Sequence, residues 1–324
     1  VKRRTTLISA LLAGLALPAI TPAQAQNFPT KPIRMLVGYE PGGPNDTQAR
    51  LIGGKIGESM GQTVLVENRP GADGIIAGEM VVKAAPDGYT MILVSAGHSI
   101  NMHFIKVPYN PLTDFTSFAH VSSAPFVLVV HPSLPAQTTA EFIRYAKERP
   151  GQLPYGSSGN GSSLMMAMEL FNVTAGIKTL HVPYKGGAPA TADLIAGRVM
   201  VMMNNAVSSI PNARAGKLRA LAVTTAKRSP LAPDLPTVGE TLPGFEVDAW
   251  YAILGPKGVP APITSRINAE INKALAQDDV KQRFSTLGLT PVGGPPERFT
   301  TLLQSELVKW ARVVKESGVP LSPN

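Results

Sequence analysis

The sequence predicts an α/β fold built on mostly parallel sheets, and three observations carry that reading. Apolar Val/Ile/Leu/Met runs of strand length recur along the chain, helix-period stretches alternate with them, and Gly/Ser-rich turns join the two. Near-continuous apolar runs mark strands covered on both faces, as in parallel sheets flanked by helices. The run "IRMLVGY" (33–39) leads through "EPGGPND" to the helical "TQARLIGGKIGESM", and "TVLVEN" precedes the glycine-rich "RPGADGIIAGEMVVKAA". "YTMILVSA" (89–96) gives way to "GHSINMHF". "FVLVVH" (126–131) precedes the helix "TTAEFIRYAKERP", with Thr138 or Thr139 as its cap. Next, "YGSSGNGSSLMMAMELF" (155–171) carries a glycine-rich turn into an apolar helix. "TLHVPY" precedes "KGGAPATADLIAG", and "RVMVMMNN" and "LRALAVTT" read as further strands.

At residues 39–47, 95–99, 156–163 and 184–190 an apolar strand ends in a Gly/Ser-rich turn that opens a helix. Open parallel sheets bind ligands beyond the carboxyl ends of their strands. Helix N-termini there present unpaired N–H groups and a partial charge of about +0.5. Gly156 and Gly161 have P-loop spacing, but Ser162-Ser163 stand where a P-loop has Lys-Ser, so a triphosphate would be poorly neutralised. A carboxylate carries one charge and accepts several hydrogen bonds, which suits a loop of this kind. Gly161 and Ser162 are the expected amide donors. Asp46 reads as a helix N-cap or as a holder of water against the ligand. Ser95, His98 and Asn101 either hydrogen-bond an acid or cap a turn, and Lys185 is either a cleft cation or a solvated loop residue.

Other chemistries fit poorly. The five histidines show no metal-ligand spacing and cysteine is absent, which argues against zinc and leaves no disulfide. "GSSGNGSS" never satisfies G-x-S-x-G, because position 160 is Asn, so no nucleophile elbow is formed. No basic cluster or aromatic-basic alternation suggests nucleic acid. At the amino terminus, Lys2, Arg3 and Arg4 precede the apolar run Leu7–Ile20 and the small-x-small sequence Ala23-Gln24-Ala25. That is the layout of a secretory signal peptide over residues 1–25. A run this short does not reach the roughly 20 residues of a membrane span. Cleavage after Ala25 is expected to release a periplasmic protein, lowering the net charge from +8 to +5 by removing three basic residues.

With these motifs in view, the chain resembles the Bug family, the extracytoplasmic solute receptors of tripartite tricarboxylate transporters. The resemblance is nearly end to end. It is carried by "PGGPND", "ENRPGADGIIAGEMVVKAAPDGYTMILVS", "YGSSGNGSS", "HVPYKGGAPATADLIAGRV", "AGKLRALAVTTAKRSPLAPDLPTVGE" and "LPGFEVDAWYAILGPKGVP". It implies a type II-like periplasmic binding protein of two α/β lobes with a ligand cleft between them. Lobe one would comprise residues 27–124 and the returning 229–324, and lobe two residues 125–228. One carboxylate would be held between Gly42, Gly43 and Asp46, in the turn that follows Tyr39, and Ser157, Ser158, Gly159, Asn160, Gly161 and Ser162. The loops with Ser95 and His98, and with Tyr184, Lys185 and Gly186, would line the cleft. The family often has Asp after the strand "RVMVMM", where this chain has Asn204-Asn205. A less negative cleft there would favour a more anionic or bulkier apolar acid over one bearing an ammonium group. The implied role is capture of a small organic acid for membrane permease subunits, by a monomer without cofactor or catalysis. A carboxylate-sensing receptor, or a periplasmic enzyme acting on a carboxylic acid, is the alternative.

Overall fold

The structure, a computed structural model, describes residues 28–319. The expected signal peptide and its cleavage after Ala25 lie outside the described residues. Strand β1 (Ile33–Val37) is buried at every position but Arg34. Helix α1 (Pro44–Met60) starts from Gly43 with proline as its first residue and stops at Gly61, left-handed at φ 68°. Proline's missing N–H costs nothing in a first turn, and glycine takes the left-handed stop without a Cβ clash. Then follow β2 (Val64–Asn68), α2 (Ile75–Val82), β3 (Thr90–Ser95) and the single turn α3 (Gly97–Ile100). The long β4 (Phe115–Val130) leads to α4 (Thr139–Lys147), which Thr138 caps by accepting from the Glu141 amide.

Next come β5 (Pro154–Ser157), α5 (Ser163–Ala175), β6 (Leu180–Pro183), α6 (Gly187–Ile195), β7 (Val201–Asn205), α7 (Ala206–Arg214) and β8 (Arg219–Val223). The chain closes with β9 (Asp248–Pro256), α8 (Ala261–Ala276), α9 (Asp278–Thr286), β10 (Thr290–Pro291) and α10 (Pro296–Ser317).

The main path through the strands runs β2-β1-β3-β9-β4-β7-β5-β6, with β8 and β10 pairing to β4. The outer trios are parallel: β1 with β2 and β3, and β5 with β6 and β7. Between them β9 pairs antiparallel with β3 and β4, and β4 pairs antiparallel with β7, β8 and β10. The parallel expectation thus describes each trio, while the middle is antiparallel. β4 is the shared strand. Its residues Phe115–Pro125 lie along β9, and from Phe126 onward it lies along β7 and β8. Pro125 stands where the partners change, a place where a missing amide donor breaks no uninterrupted ladder.

Three apolar clusters position this sheet, one of them formed by Val127 and Val129 of β4 with Leu194 of α6 and Met202 of β7. Ile33, Met35 and Val37 pack in one core with Ile52 and Ile56 of α1 and Ile267 and Ile271 of α8. Each such side chain contributes about 1.5–3 kcal/mol relative to exposure. In the largest core, Met166, Phe171, Trp250 and Trp310 lie together. The indoles of Trp250 and Trp310 both donate to one oxygen of the buried Glu306, at 3.2 and 2.8 Å. Helix α10 packs there on both β4 and α5.

Candidate functional site

The turns that follow the parallel strands surround a polar cavity of about 220 Å³. Tyr39, Asp73, Ser95 and Gly97 line it from the end of β3 and the turns after β1, β2 and β3, and Ser158, Ser162, Ser163 and Gly187 from the turns after β5 and β6; Trp250 and Tyr251 of β9 also face it. Gly187, Asn205, Ala249 and Tyr251 are shared with a larger, mainly apolar cavity of about 730 Å³. The first helical residues of α1, α5, α6 and α7 are Pro44, Ser163, Gly187 and Ala206, and each lines one or both cavities. Four helix N-termini therefore converge on one cleft, and among the described residues lining it there is no lysine or arginine. Each terminus offers unpaired amides and a partial positive charge of about +0.5. The positive potential here comes from the backbone.

Within the serine-glycine turn, hydrogen bonds settle which amides remain open. Ser162 caps α5 by accepting from the Met165 amide at 3.3 Å, and its own hydroxyl donates to the Gly159 carbonyl at 2.7 Å. The expected donors do not stay free: the Gly161 amide faces Met165 Sδ at 3.3 Å and the Ser162 amide donates to Gly159. The open donors are the next two residues. Ser163 and Leu164, the first two residues of α5, have no intrahelical acceptor, and both line the polar cavity. Ser157 is fully buried, with its hydroxyl 2.6 Å from His181 Nε2 and accepting from the Gly159 amide, so it braces the turn from behind. This Ser–His pair is not part of either cavity wall in the cleft.

The first turn is organised by Asp46, although Gly43 rather than Asp46 is the N-cap of α1. Asp46 is the third helical residue. Its carboxylate accepts from the Gly42 amide at 2.9 Å, from Arg50 Nε at 3.1 Å and from Asn68 Nδ2 at 2.9 Å. Burial pulls its pKa upward, but the bonds from Arg50, Gly42 and Asn68 together hold it below the usual aspartate value. These contacts fold the "PGGP" turn back onto β2 and present Pro44 to the cleft.

His98 points into the interior. Its Nε2 lies 3.1 Å from the Pro111 carbonyl, and its ring packs against Tyr109 and Phe115. Burial pushes its pKa down to about 4, so the ring is neutral near pH 7. Its ring fills a pocket beside Tyr109 and Phe115 and does not line either cavity of the cleft. Tyr184 donates to Asp193, and Lys185 is exposed; neither they nor Gly186 form part of either cavity wall. Asn160 is exposed at the tip of its turn. Asn204 lines the larger cavity, buried, donating to Thr191 Oγ1 at 2.9 Å.

Of the expected residues, Tyr39, Ser95, Ser158 and Ser162 meet in the polar cavity. Asp73, Phe126, Trp250 and Tyr251 join them unforeseen. The aromatic residues come from β4 and β9, far away in sequence, and no local motif marked them. Among the described residues no group of three His, Cys, Asp or Glu could hold a metal ion, and no helix is long and apolar enough to cross a membrane.

Fold and cleft together define a two-lobe α/β binding protein. A family model for the tripartite tricarboxylate transporter family receptor, TctC, matches residues 48–319. Protein BugT of Bordetella pertussis is 35% identical over 313 residues, covering 95% of this chain and 95% of BugT. Among solved structures, Rpa4515 of R. palustris with adipate is 36% identical at a TM-score of 0.76, covering 90% of this chain and 99% of that one. MatC from Rhodopseudomonas palustris with bound malate is 34% identical at a TM-score of 0.72, covering 89% and 100%. The chain belongs to the TctC family of tripartite tricarboxylate transporter receptors.

Proposed function

We propose that the protein is a periplasmic receptor that captures a small organic carboxylate and delivers it to the permease subunits of a tripartite tricarboxylate transporter. The observation that carries this reading is the convergence of four helix N-termini on a cleft lined by no lysine or arginine. Such a site suits an anion held by backbone amides rather than by a cationic side chain, and a carboxylate accepts several such hydrogen bonds. The adipate and malate in the similar structures are the same chemical class. In this reading residues 27–124 and 229–324 form one lobe and 125–228 the other, with the crossings at Pro125 in β4 and before β9. The protein acts as a monomer and binds its ligand without converting it.

The test is a thermal-shift panel of organic acids, their amides, sugars and nucleotides. Ligand at about a hundred times Kd stabilises a protein by about 2.7 kcal/mol. That corresponds to several degrees, at roughly 2–4 °C per kcal/mol for domains of this size. Hits should fall among acids and vanish for the matching amides. Hits confined to sugars or nucleotides would refute the reading.

A further inference from the structure

We infer that Asp73 makes this cleft selective for acids that also carry a protonated amine, so that the ligand is an amino-bearing carboxylate. This rests on the carboxylate reading of the cleft. Among the described residues lining the two connected cavities, Asp73 is the only one with a charged side chain. A simple di- or tricarboxylate entering here would meet a carboxylate with no cationic side chain in the wall to separate them. Like charges brought together in a confined space repel strongly. An ammonium group on the ligand removes that conflict and gives Asp73 a partner, while the ligand's own carboxylate takes the helix N-termini.

Asp73 is held for this task by its surroundings. It is exposed to the cleft, and its backbone is left-handed at φ 51°, ψ 40°, in a turn where Gly71, Ala72 and Gly74 also have positive φ. Two side chains fix its carbonyl: Asn101 Nδ2 donates at 3.1 Å and Tyr39 Oη at 3.3 Å. Ser95 in turn donates to Tyr39 Oη at 3.1 Å. Gly97 leaves room for the carboxylate, since a Cβ there would come within 2.5 Å of Asp73 Oδ2. Loss of hydration raises the carboxyl's pKa, with Asn101 and Tyr39 pulling the other way. A cationic ligand group reverses that desolvation penalty. Asn204, in the larger cavity, brings no acid to the cleft, but the turn at Asp73 supplies one from a different element.

The experiment compares matched acids: succinate, malate and aspartate, and adipate with 2-aminoadipate, titrated into wild type and Asp73→Asn by calorimetry. Asparagine tolerates the left-handed region, so the turn is retained. Circular dichroism and melting confirm that the variant folds, and Asp73→Gly serves as a second variant. We expect wild type to bind the amino member of a pair about tenfold or more tighter. Both variants should lose that preference and bind the plain acid as tightly or more tightly. Plain acids preferred by wild type, or a preference for the amine unchanged in both variants, would overturn the inference while leaving the carboxylate reading intact. If no acid of either kind binds, the carboxylate reading itself fails, and this inference with it.

Discussion

Single side chains here act mainly by settling local charge. Arg34 on β1 grips Glu67 on β2 with Nε and Nη2, at 2.8 and 3.0 Å. This fork, helped by Arg69, holds the Glu67 pKa down at about 2. The folded value lies below the unfolded one of about 4.3, so the stabilisation is present above that pH and is lost as pH falls toward 2. The pair is partly exposed, with side chains 43% and 27% accessible, which limits its worth. Glu67→Gln should cost up to about 1 kcal/mol at pH 7. Urea unfolding at a series of pH values should show the two proteins converging as pH falls through this window. A difference that persists undiminished to the acid end would mean that packing, not charge, is responsible. Such pairing was not legible in the sequence, because the two residues are brought together only by strand register.

At the scale of elements, the informative unit is the turn that opens a helix. Asp46→Ala removes the acceptor for the Gly42 amide, Arg50 and Asn68 at once. Leaving such donors unpaired costs about 1–3 kcal/mol. Because the same turn carries Pro44 into the cleft wall, ligand affinity should fall as well. Chemical denaturation and calorimetry on one preparation read both effects. A destabilised variant with unchanged affinity would confine Asp46 to holding the helix start. The glycine-rich turns were visible in the sequence because glycine and proline act locally. Which amides they leave open was not, since that depends on how Ser157, Ser162 and Met165 fold back on the turn.

Across the whole molecule, the cleft has two walls that touch beyond the ligand space. A Cβ placed on Gly288, just after α9, would lie 2.3 Å from Val207 Cγ2 of α7, and both residues line the larger cavity. Gly288→Ala should therefore wedge the walls apart and weaken ligand binding about tenfold, a loss of about 1.4 kcal/mol. Val207→Ala in the same chain should restore most of it. A residual deficit is expected, because alanine is strained at the φ of +68° found there. Calorimetry on the single and double variants, with small-angle scattering for the overall dimensions, checks this. If the double variant binds no better than the single, backbone strain rather than wall contact is the cause.

The sequence by itself determined the α/β alternation, the positions of the helix-opening turns and the anionic character of the ligand they suit. Each of these follows from residues close together in the chain: apolar period, glycine at tight turns, and proline or a small polar residue at a helix start. Only the tertiary structure decided the rest. It made β4 one strand of 16 residues serving β9 and then β7 and β8, although the part from Phe115 to Pro125, rich in Ser and Thr, carried a weak strand signal. It made "DAWYAILGP" a central strand, turned His98 inward and left Lys185 outside the cleft walls. Above all it carried Asp73, indistinguishable in sequence from any acid in a glycine-rich loop, to the wall where Tyr39, Ser95 and Ser162 meet. Burial and like-charge avoidance depend on neighbours distant in sequence, and those are fixed only when the chain has folded.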